Sequence, residues 1–183
     1  MNDYWYLVSS LPGLHLGEKP PMGAAAFRAA CIGELSEPQL ASIDAALENV
    51  QPPVGAATEW WNSEVQLRDA VVQVRAKNRS ADSSQFIQPY DGFSVTIEKW
   101  VTDAFARSDP QAQEMELDRA RWTLVEELAV TDPFGFSALL AFAVKVRIAE
   151  RWAGMDEKTG QENVEELVLS ALEELDNELT HNE

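Results

Sequence analysis

The segment from Phe136 to Ile148 constrains the fold of this chain more than any other part of its sequence. It reads "FSALLAFAVKVRI", and apolar side chains cover nearly every side when it is wound as an α-helix. A helix that is apolar all round lies in the centre of a protein or crosses a membrane. Lys145 and Arg147 interrupt the run, which falls short of the roughly 20 apolar residues that a membrane span needs. The segment therefore predicts a central, buried helix.

Helical patterns also run through the segments that would surround this central helix. Ser36 has a glutamine three residues later and Pro38 in the first turn, which is the pattern of a capped helix start. Asp109 stands directly before Pro110, which indicates a second capped start. Apolar residues then repeat every three or four positions, so these segments are predicted to be helices. They are residues 23–35, 36–50, 57–78, 93–108 and 109–130.

Two stretches leave the organisation of the chain open. The opening "YWYLVSSL" could be a strand or a short helix, and its aromatic and β-branched content favours a strand. Residues 79–92 ("RSADSSQFIQPYDG") form the longest polar stretch. They indicate either a connection within a single all-helical domain or a boundary between two helical subunits.

Three charged residues stand on the face of helix 57–78 that carries its apolar side chains. Glu64, Arg68 and Arg75 fall in this arc when the segment is wound at about 100° per residue. The opposite face is predicted to be solvated, and it carries Asn62, Gln66, Asp69, Gln73 and Lys77. A charge in an apolar arc must be paired, reach water along its stem, or meet a partner. Three roles stay open for the arginines: an internal ion-pair network, a contact with a partner protein, or an anion-binding or catalytic site.

The charge of the chain limits its partners. The net charge is −17 and the pI is about 4.4, so the surface repels nucleic-acid phosphates and anionic lipids. Eleven acidic residues and only two basic ones lie between Ile148 and the C-terminus. They flank an apolar stripe at three- and four-residue spacing in residues 164–179, which predicts an amphipathic helix that packs on the core or on a partner helix.

The sequence contains no recognisable catalytic, cofactor or metal motif. It has one cysteine, Cys31, in an apolar helical pattern, and two histidines, His15 in a turn-rich loop and His181 near the C-terminus. These residues do not form the usual zinc pattern, and no phosphate-binding glycine loop occurs. We expect a non-enzymatic protein without a cofactor or metal. Adjacent Trp60 and Trp61 point about 100° apart on a helix, so either one of them is exposed and available to a partner, or the two rings cover two edges of one large core.

Three stretches together resemble a known family. They are "YWYLVSSLPGL" at the N-terminus, "LRDAVVQVRA" at 67–76, and "RARW" followed by "FSALLAFAVKVRIAERWAGMDEKTG". The chain resembles the small uncharacterised proteins encoded in bacterial V/A-type ATPase operons. Those proteins look like shortened relatives of the C-type subunit of V/A-type ATPases (the d-type subunit in eukaryotes), which joins the central stalk to the membrane ring. The similarity of "LRDAVVQVR" (67–75) to "LLAFAVKVR" (139–147) is consistent with two similar helical units.

The resemblance implies an all-α fold, a bundle of about seven to eight helices that corresponds to one or two units of the C-type subunit. It implies that the opening segment is helical, against its propensity. It also implies that Arg147 and Arg151 join Glu64, Arg68 and Arg75 in an internal ion-pair network. The expected role is to couple or assemble the central rotor stalk and the membrane ring of an ion-translocating ATPase; the alternative is a free-standing interaction module or assembly chaperone. We expect a cytoplasmic protein that reaches the inner membrane only through such a complex.

Overall fold

The structure is a computed structural model that describes residues 4–53, 55 and 57–155. The predicted amphipathic helix at 164–179 and His181 lie outside these residues. Seven α-helices and one short 3-10 helix make up the regular structure of the described residues, which contain no strand. This arrangement confirms the predicted all-α bundle. The helices are α1 (Trp5–Ser10), α2 (Ala24–Cys31), α3 (Glu37–Glu48), α4 (Thr58–Arg79), α5 (Val95–Phe105), α6 (Pro110–Val130) and α7 (Phe136–Ala153), with the 3-10 helix at Ser84–Phe86.

The two predicted helix starts are present. The Gln39 side chain accepts a hydrogen bond from the Ser36 backbone N–H at 3.1 Å, within a capping box. The Asp109 carboxylate accepts a hydrogen bond from the Ala112 N–H at 2.8 Å. Each bond occupies one of the backbone donors that the first turn of a helix leaves without a partner.

Helix α1 replaces the strand that its composition favours. Tyr4 and Leu7 are buried, and the Tyr4 N–H donates to the Phe134 carbonyl at 2.7 Å. The Tyr4 hydroxyl also donates to Gln39 at 2.8 Å. Contacts with the first turn of α3 and with the turn before α7 therefore override a weak local preference, which is common for short segments.

Helix α7 lies at the centre of the bundle, as predicted. Eleven of its eighteen residues are buried, and it packs against α2, α3 and α6. The Phe142 ring lies 4.7 Å from the Phe27 ring of α2, centroid to centroid. Helix α6 runs antiparallel to α7, because Glu126 contacts Lys145 near one end and Asp118 contacts Arg151 near the other.

Helices α4, α5 and α6 form a second packed group. Gln66 bonds Ser94 at the start of α5, and the Arg75 guanidinium lies 5.8 Å from the centre of the Phe105 ring at its end. Helices α4 and α5 are therefore parallel. Buried apolar residues form two clusters, one around α7 and one among α4, α5 and α6. Trp60 of α4 belongs to the first cluster and Leu67 of the same helix to the second. The division of the chain into two subunits near residues 79–92 stays a prediction.

The face of α4 that was predicted to be solvated is covered at Gln66 and Asp69, so the prediction is wrong for these two residues, whereas Gln73 and Lys77 are exposed as predicted. Gln66 and Asp69 are both buried. The Gln66 amide donates to the Ser94 carbonyl at 2.8 Å and accepts from the Ser94 N–H at 3.0 Å. The Asp69 carboxylate accepts from the Gln88 N–H at 3.1 Å. These polar side chains hold the segment between α4 and α5 against α4, which explains their burial.

Candidate functional site

Two buried carboxylates organise a cluster of charged residues between α4, α6 and α7. Glu64 is 2% exposed and accepts hydrogen bonds from Arg68 Nε at 2.9 Å and from Arg121 Nε at 3.0 Å. Asp118 is 1% exposed and accepts hydrogen bonds from Arg121 Nη1 at 3.0 Å and from the Trp152 indole at 2.8 Å. The Arg121 guanidinium therefore bridges the two carboxylates, and both are fully paired, as buried charges must be.

The spacing of these residues explains how the cluster forms. Glu64 and Arg68 are four residues apart on α4, and Asp118 and Arg121 are three apart on α6. Such pairs share one face of a helix. Arg121 then reaches Glu64 on α4, and Arg151 on α7 contacts Asp118. Two local pairs and two contacts between helices thus connect α4, α6 and α7.

Two arginines extend the cluster to the C-terminal end of α3. Arg68 Nη2 donates to the Asn49 carbonyl, and Arg147 Nη1 donates to the Ala46 carbonyl, both at 2.9 Å. Helix α3 ends here because Asn49 adopts a left-handed conformation with φ of 57°. The last carbonyls of a helix lack partners within the helix and carry partial negative charge. The two guanidinium groups therefore cap α3 and bring a fourth helix into the cluster.

Burial and neighbouring charges shift the pKa values of the cluster in different directions. Burial alone would raise the pKa of Glu64, but the attraction and hydrogen bonds of Arg121 and Arg68 outweigh it and place that pKa below its usual value. Burial is also the largest cause at Arg147. Although the carboxylates oppose it, burial lowers the pKa of Arg147 to about 10. Arg147 therefore remains protonated at pH 7, as a cation that has lost much of its hydration.

The charged cluster opens into a cleft of about 290 Å³. Three arginines from α6 and α7 share its wall with two carboxylates from α6. The residues that line it are Asn49, Glu114, Asp118, Arg121, Arg147, Ile148 and Arg151. Asn49 Oδ1 is a buried side-chain acceptor without a hydrogen-bond partner in the described part of the chain. The donors that the cleft presents are therefore the guanidinium groups, since the amide oxygen of Asn49 is buried.

Four of the five residues predicted for an internal network come together here. Glu64, Arg68, Arg147 and Arg151 all belong to the cluster or its cleft. Arg75 does not belong to the interior, and that part of the prediction needs correction. Its side chain is 57% exposed and lies 3.5 Å from Glu114 at the surface. The reason is that Arg75 lies in the last turns of α4, where the helix surface is exposed between Gln73 and Lys77.

Asp118 and Arg121 are central to the cluster but were missed in the sequence. The sequence pattern that indicates them is the same as on α4: an acidic and a basic residue at helical spacing among buried residues. Here the pattern is Leu117, Asp118, Ala120, Arg121 and Trp122. Because α6 carries many charges, this pair did not stand out from those on its exposed face.

The structure places both tryptophans against the core, which is the second of the two interpretations of this pair. Trp60 is 4% exposed and belongs to the core around α7, so it is not an exposed anchor. Trp61 is partly buried against the same core. The Arg68 guanidinium lies 4.9 Å from the centre of the Trp61 ring, which favours a cation–π contact. The Trp61 ring therefore contacts the charged cluster, whereas the Trp60 ring packs in the core.

Large apolar side chains are exposed at the other end of α6. We call this surface the apolar end and define it by Trp5, Tyr6, Phe93, Val95, Val130 and Phe134, all of which are exposed. The hydrogen bond from the Tyr4 N–H to the Phe134 carbonyl joins α1 to the turn between α6 and α7. Ser94 and Thr131 line one cavity of about 260 Å³, which joins the start of α5 to the same turn. The apolar end is therefore built from three neighbouring segments.

The apolar end and the charged cluster are separate features. Val130 and Asp118 are twelve residues apart on α6, which corresponds to about 18 Å along a helix. In the described part of the chain, no three acidic, cysteine or histidine side chains are grouped to hold a metal ion. None of the helices described is both long enough and apolar enough to cross a membrane.

Comparison with known proteins gives a partial match. Residues 98–174 match the sequence profile of a family described as a protein of unknown function, DUF2764. No curated protein and no solved structure matches this chain. The matched stretch contains Asp118, Arg121, Arg147 and Arg151, whereas Glu64 precedes it. The half of the charged cluster on α6 and α7 therefore lies within the part of the chain that is similar to this uncharacterised family.

Proposed function

We propose that this protein is a non-enzymatic helical subunit or accessory protein of a V/A-type ion-translocating ATPase. Its role is to couple or assemble the central rotor stalk and the membrane ring by binding other protein subunits. The apolar end is the observation that carries the interaction role. The assignment to this ATPase comes from the family resemblance of the sequence. The first of the resembling stretches, "YWYLVSSLPGL", includes Trp5 and Tyr6 of the apolar end.

The apolar end has the properties of a protein-binding surface. Trp5 is 62% exposed and Tyr6 is 75% exposed, and the two rings contact each other edge to face. A tryptophan or tyrosine side chain can bury about 150–250 Å² in an interface, and such residues often supply most of the binding energy. The neighbouring cavity, with Ile97 and Leu128 in its wall, offers a place for one apolar side chain of a partner.

The charge of the chain specifies the chemistry of the partner. At a net charge of −17, the protein attracts a surface rich in lysine and arginine and repels an acidic one. Glu59 and Glu127 line the cavity at the apolar end. The partner surface that fits is therefore an apolar helix or groove with basic residues at its rim. A stalk protein with such a surface would associate rapidly at low salt and more slowly at high salt.

Affinity purification of the tagged protein from its native cells in mild detergent, followed by mass spectrometry, tests the proposal. Recovery of catalytic, stalk and membrane-ring subunits in a fixed ratio is expected of a resident coupling protein. Recovery of one or two soluble ATPase subunits alone would favour the alternative role of an assembly chaperone. If no ATPase subunit is recovered, the assignment to this machine is wrong.

A pair of matched variants tests whether the apolar end is the binding surface. Trp5→Ser combined with Tyr6→Ser removes two exposed rings that make few contacts within the bundle. We expect recovery of the partner to fall about 30-fold or more, since exposed aromatic anchors of this kind are worth about 2 kcal/mol or more. Phe86→Ser is the control, because Phe86 is 60% exposed but lies in the segment after α4. Equal losses for both variants would contradict this placement.

A further inference from the structure

We propose that the cleft between α3, α6 and α7 is a binding site for a carboxylate group. Arg147 and Arg151 would hold the two oxygens of the carboxylate, with Arg121 behind them. The inference does not depend on the proposed function, because the cleft lies at the opposite end of α6 from the apolar end. Its ligand is either a small free carboxylate or an aspartate or glutamate side chain.

The arginines of the cleft have donors that the described residues do not use. A guanidinium carries five N–H donors, and Arg147 uses one of them in its hydrogen bond to the Ala46 carbonyl. Among the described residues, no carboxylate oxygen lies within 4.0 Å of Arg147, although every other arginine of the cluster has one. Arg151 uses one nitrogen on Asp118. Two neighbouring guanidinium groups on one turn of α7 therefore face the cleft with free donors.

The net charge of the residues around the cleft favours a ligand with a single negative charge. In the wall of the cleft, Arg121, Arg147 and Arg151 are opposed by only two carboxylates, those of Glu114 and Asp118. The wall thus carries one excess positive charge within a chain that is strongly negative overall. A carboxylate neutralises this charge, whereas a doubly charged phosphate would also be repelled by the acidic residues in the wall. The burial of Arg147, which lowers its pKa to about 10, makes a nearby negative charge still more favourable.

The size of the cleft limits the ligand further. A volume of about 290 Å³ lies at the lower limit of typical ligand pockets, which span about 300–1,000 Å³. It suits a carboxylate with a few carbon atoms or the end of an acidic side chain, and it is too small for a nucleotide. Asn49 is part of the cleft wall beside such a ligand. Ile148 supplies an apolar contact for its carbon atoms.

Nuclear magnetic resonance of the full chain tests the site directly. The reporters are the side-chain N–H signals of Arg147 and of Trp152, whose indole donates to Asp118 beneath the cleft. We expect acetate and propionate, which each carry a single charge, to shift both signals saturably at millimolar concentration, with no such change in sodium chloride of equal ionic strength. Inorganic phosphate is expected to bind more weakly than either carboxylate.

Three variants separate binding from a loss of structure. Arg147→Gln and Arg147→Lys should each weaken carboxylate binding about tenfold or more. Glutamine removes the positive charge, whereas lysine keeps the charge but cannot donate two parallel hydrogen bonds to a carboxylate. Arg119→Gln is the control, since Arg119 is 63% exposed and pairs with Glu116 on the outer face of α6. It should bind as the wild type does. If Arg147→Gln does not fold, the titrations of the wild type and of the full-length variant described next still decide the question.

A further full-length variant identifies the source of the carboxylate. In it, the ten acidic residues between 156 and 183 are replaced by glutamine or asparagine. Binding by the wild type supports a free carboxylate as ligand. Binding by this variant alone also supports the site, with the chain's own acidic residues as its ligand. If neither protein responds, or if phosphate binds more tightly than the carboxylates, the proposal is overturned.

Discussion

Replacing Glu64 with glutamine tests the role of the charged cluster most sharply. Glutamine has nearly the same shape, but it removes the charge that two arginines share. Arg121 has 14% of its side chain exposed and keeps Asp118 as a partner, whereas Arg68 has 36% exposed and can turn toward water. Removing one partner of a buried ion pair costs about 3–5 kcal/mol. Because both arginines retain some compensation, we expect a loss near the lower limit, about 3 kcal/mol.

Urea unfolding followed by circular dichroism measures this loss, provided that the unfolding is two-state. For a chain of this length, about 3 kcal/mol corresponds to a fall in Tm of about 6–12 °C. Glu116→Gln is the matched control. Glu116 is 31% exposed, and its partners Arg107 and Arg119 are 58% and 63% exposed. The same substitution there should cost less than about 1 kcal/mol, as is usual for ion pairs at the surface.

The pH dependence of the Glu64→Gln effect gives an independent check. The folded protein holds the pKa of Glu64 below its ordinary value of about 4.5. The ionised carboxylate therefore stabilises the fold fully above this pH, and the contribution is lost as the pH falls through the folded pKa. Since glutamine does not titrate, the difference between wild type and variant should shrink as the pH falls below 4.5. A Glu64→Gln protein within about 0.5 kcal/mol of wild type at pH 7 would refute the reasoning.

One labelling experiment and one substitution test local features of the fold. Cys31 is fully buried, and burial, with a smaller contribution from Asp44, raises the pKa of its thiol to about 11. We therefore expect iodoacetamide at pH 7 to label it at least about 100-fold more slowly than an ordinary thiol; rapid labelling of the folded protein would contradict its placement. Asp109→Ala removes the cap of α6 and should cost about 1 kcal/mol in urea unfolding, and an unchanged midpoint would show that the cap contributes nothing.

Most of the helical framework could be predicted because its signals are local. The apolar run from Phe136 to Ile148 identified the central helix, and the residues at Ser36 and Asp109 marked two helix starts. Capping and periodicity depend on neighbours within a few positions of the chain. Their physical effect is therefore nearly the same in any compact fold.

The errors arose where distant segments decide the environment. The position of Tyr4 depends on hydrogen bonds that it donates to Phe134 and Gln39, which are distant in the sequence. Gln66 and Asp69 are buried because the segment after α4 returns across them. A polar residue on a helix predicts solvent only when nothing else satisfies its hydrogen bonds, and periodicity does not reveal such partners.

The charged cluster was predictable only in part for the same reason. Glu64 and Arg68 are a local pair, and their position in an apolar arc was visible in the sequence. Arg121 lies 57 residues from Glu64, and no spacing rule connects the two. The exposure of Arg75 depends on which turns of α4 the neighbouring helices cover, which is likewise a property of the assembled bundle.

Hydrogen exchange measured on the protein alone and in its purified complex tests the central claim most directly. The account predicts slower exchange in the complex at α1, at the turn between α6 and α7, and at the start of α5. Exchange near the C-terminal end of α7, on the side of the cleft, should remain unchanged. Protection confined to other surfaces, or no protection at all in a complex that contains ATPase subunits, would contradict binding through the apolar end.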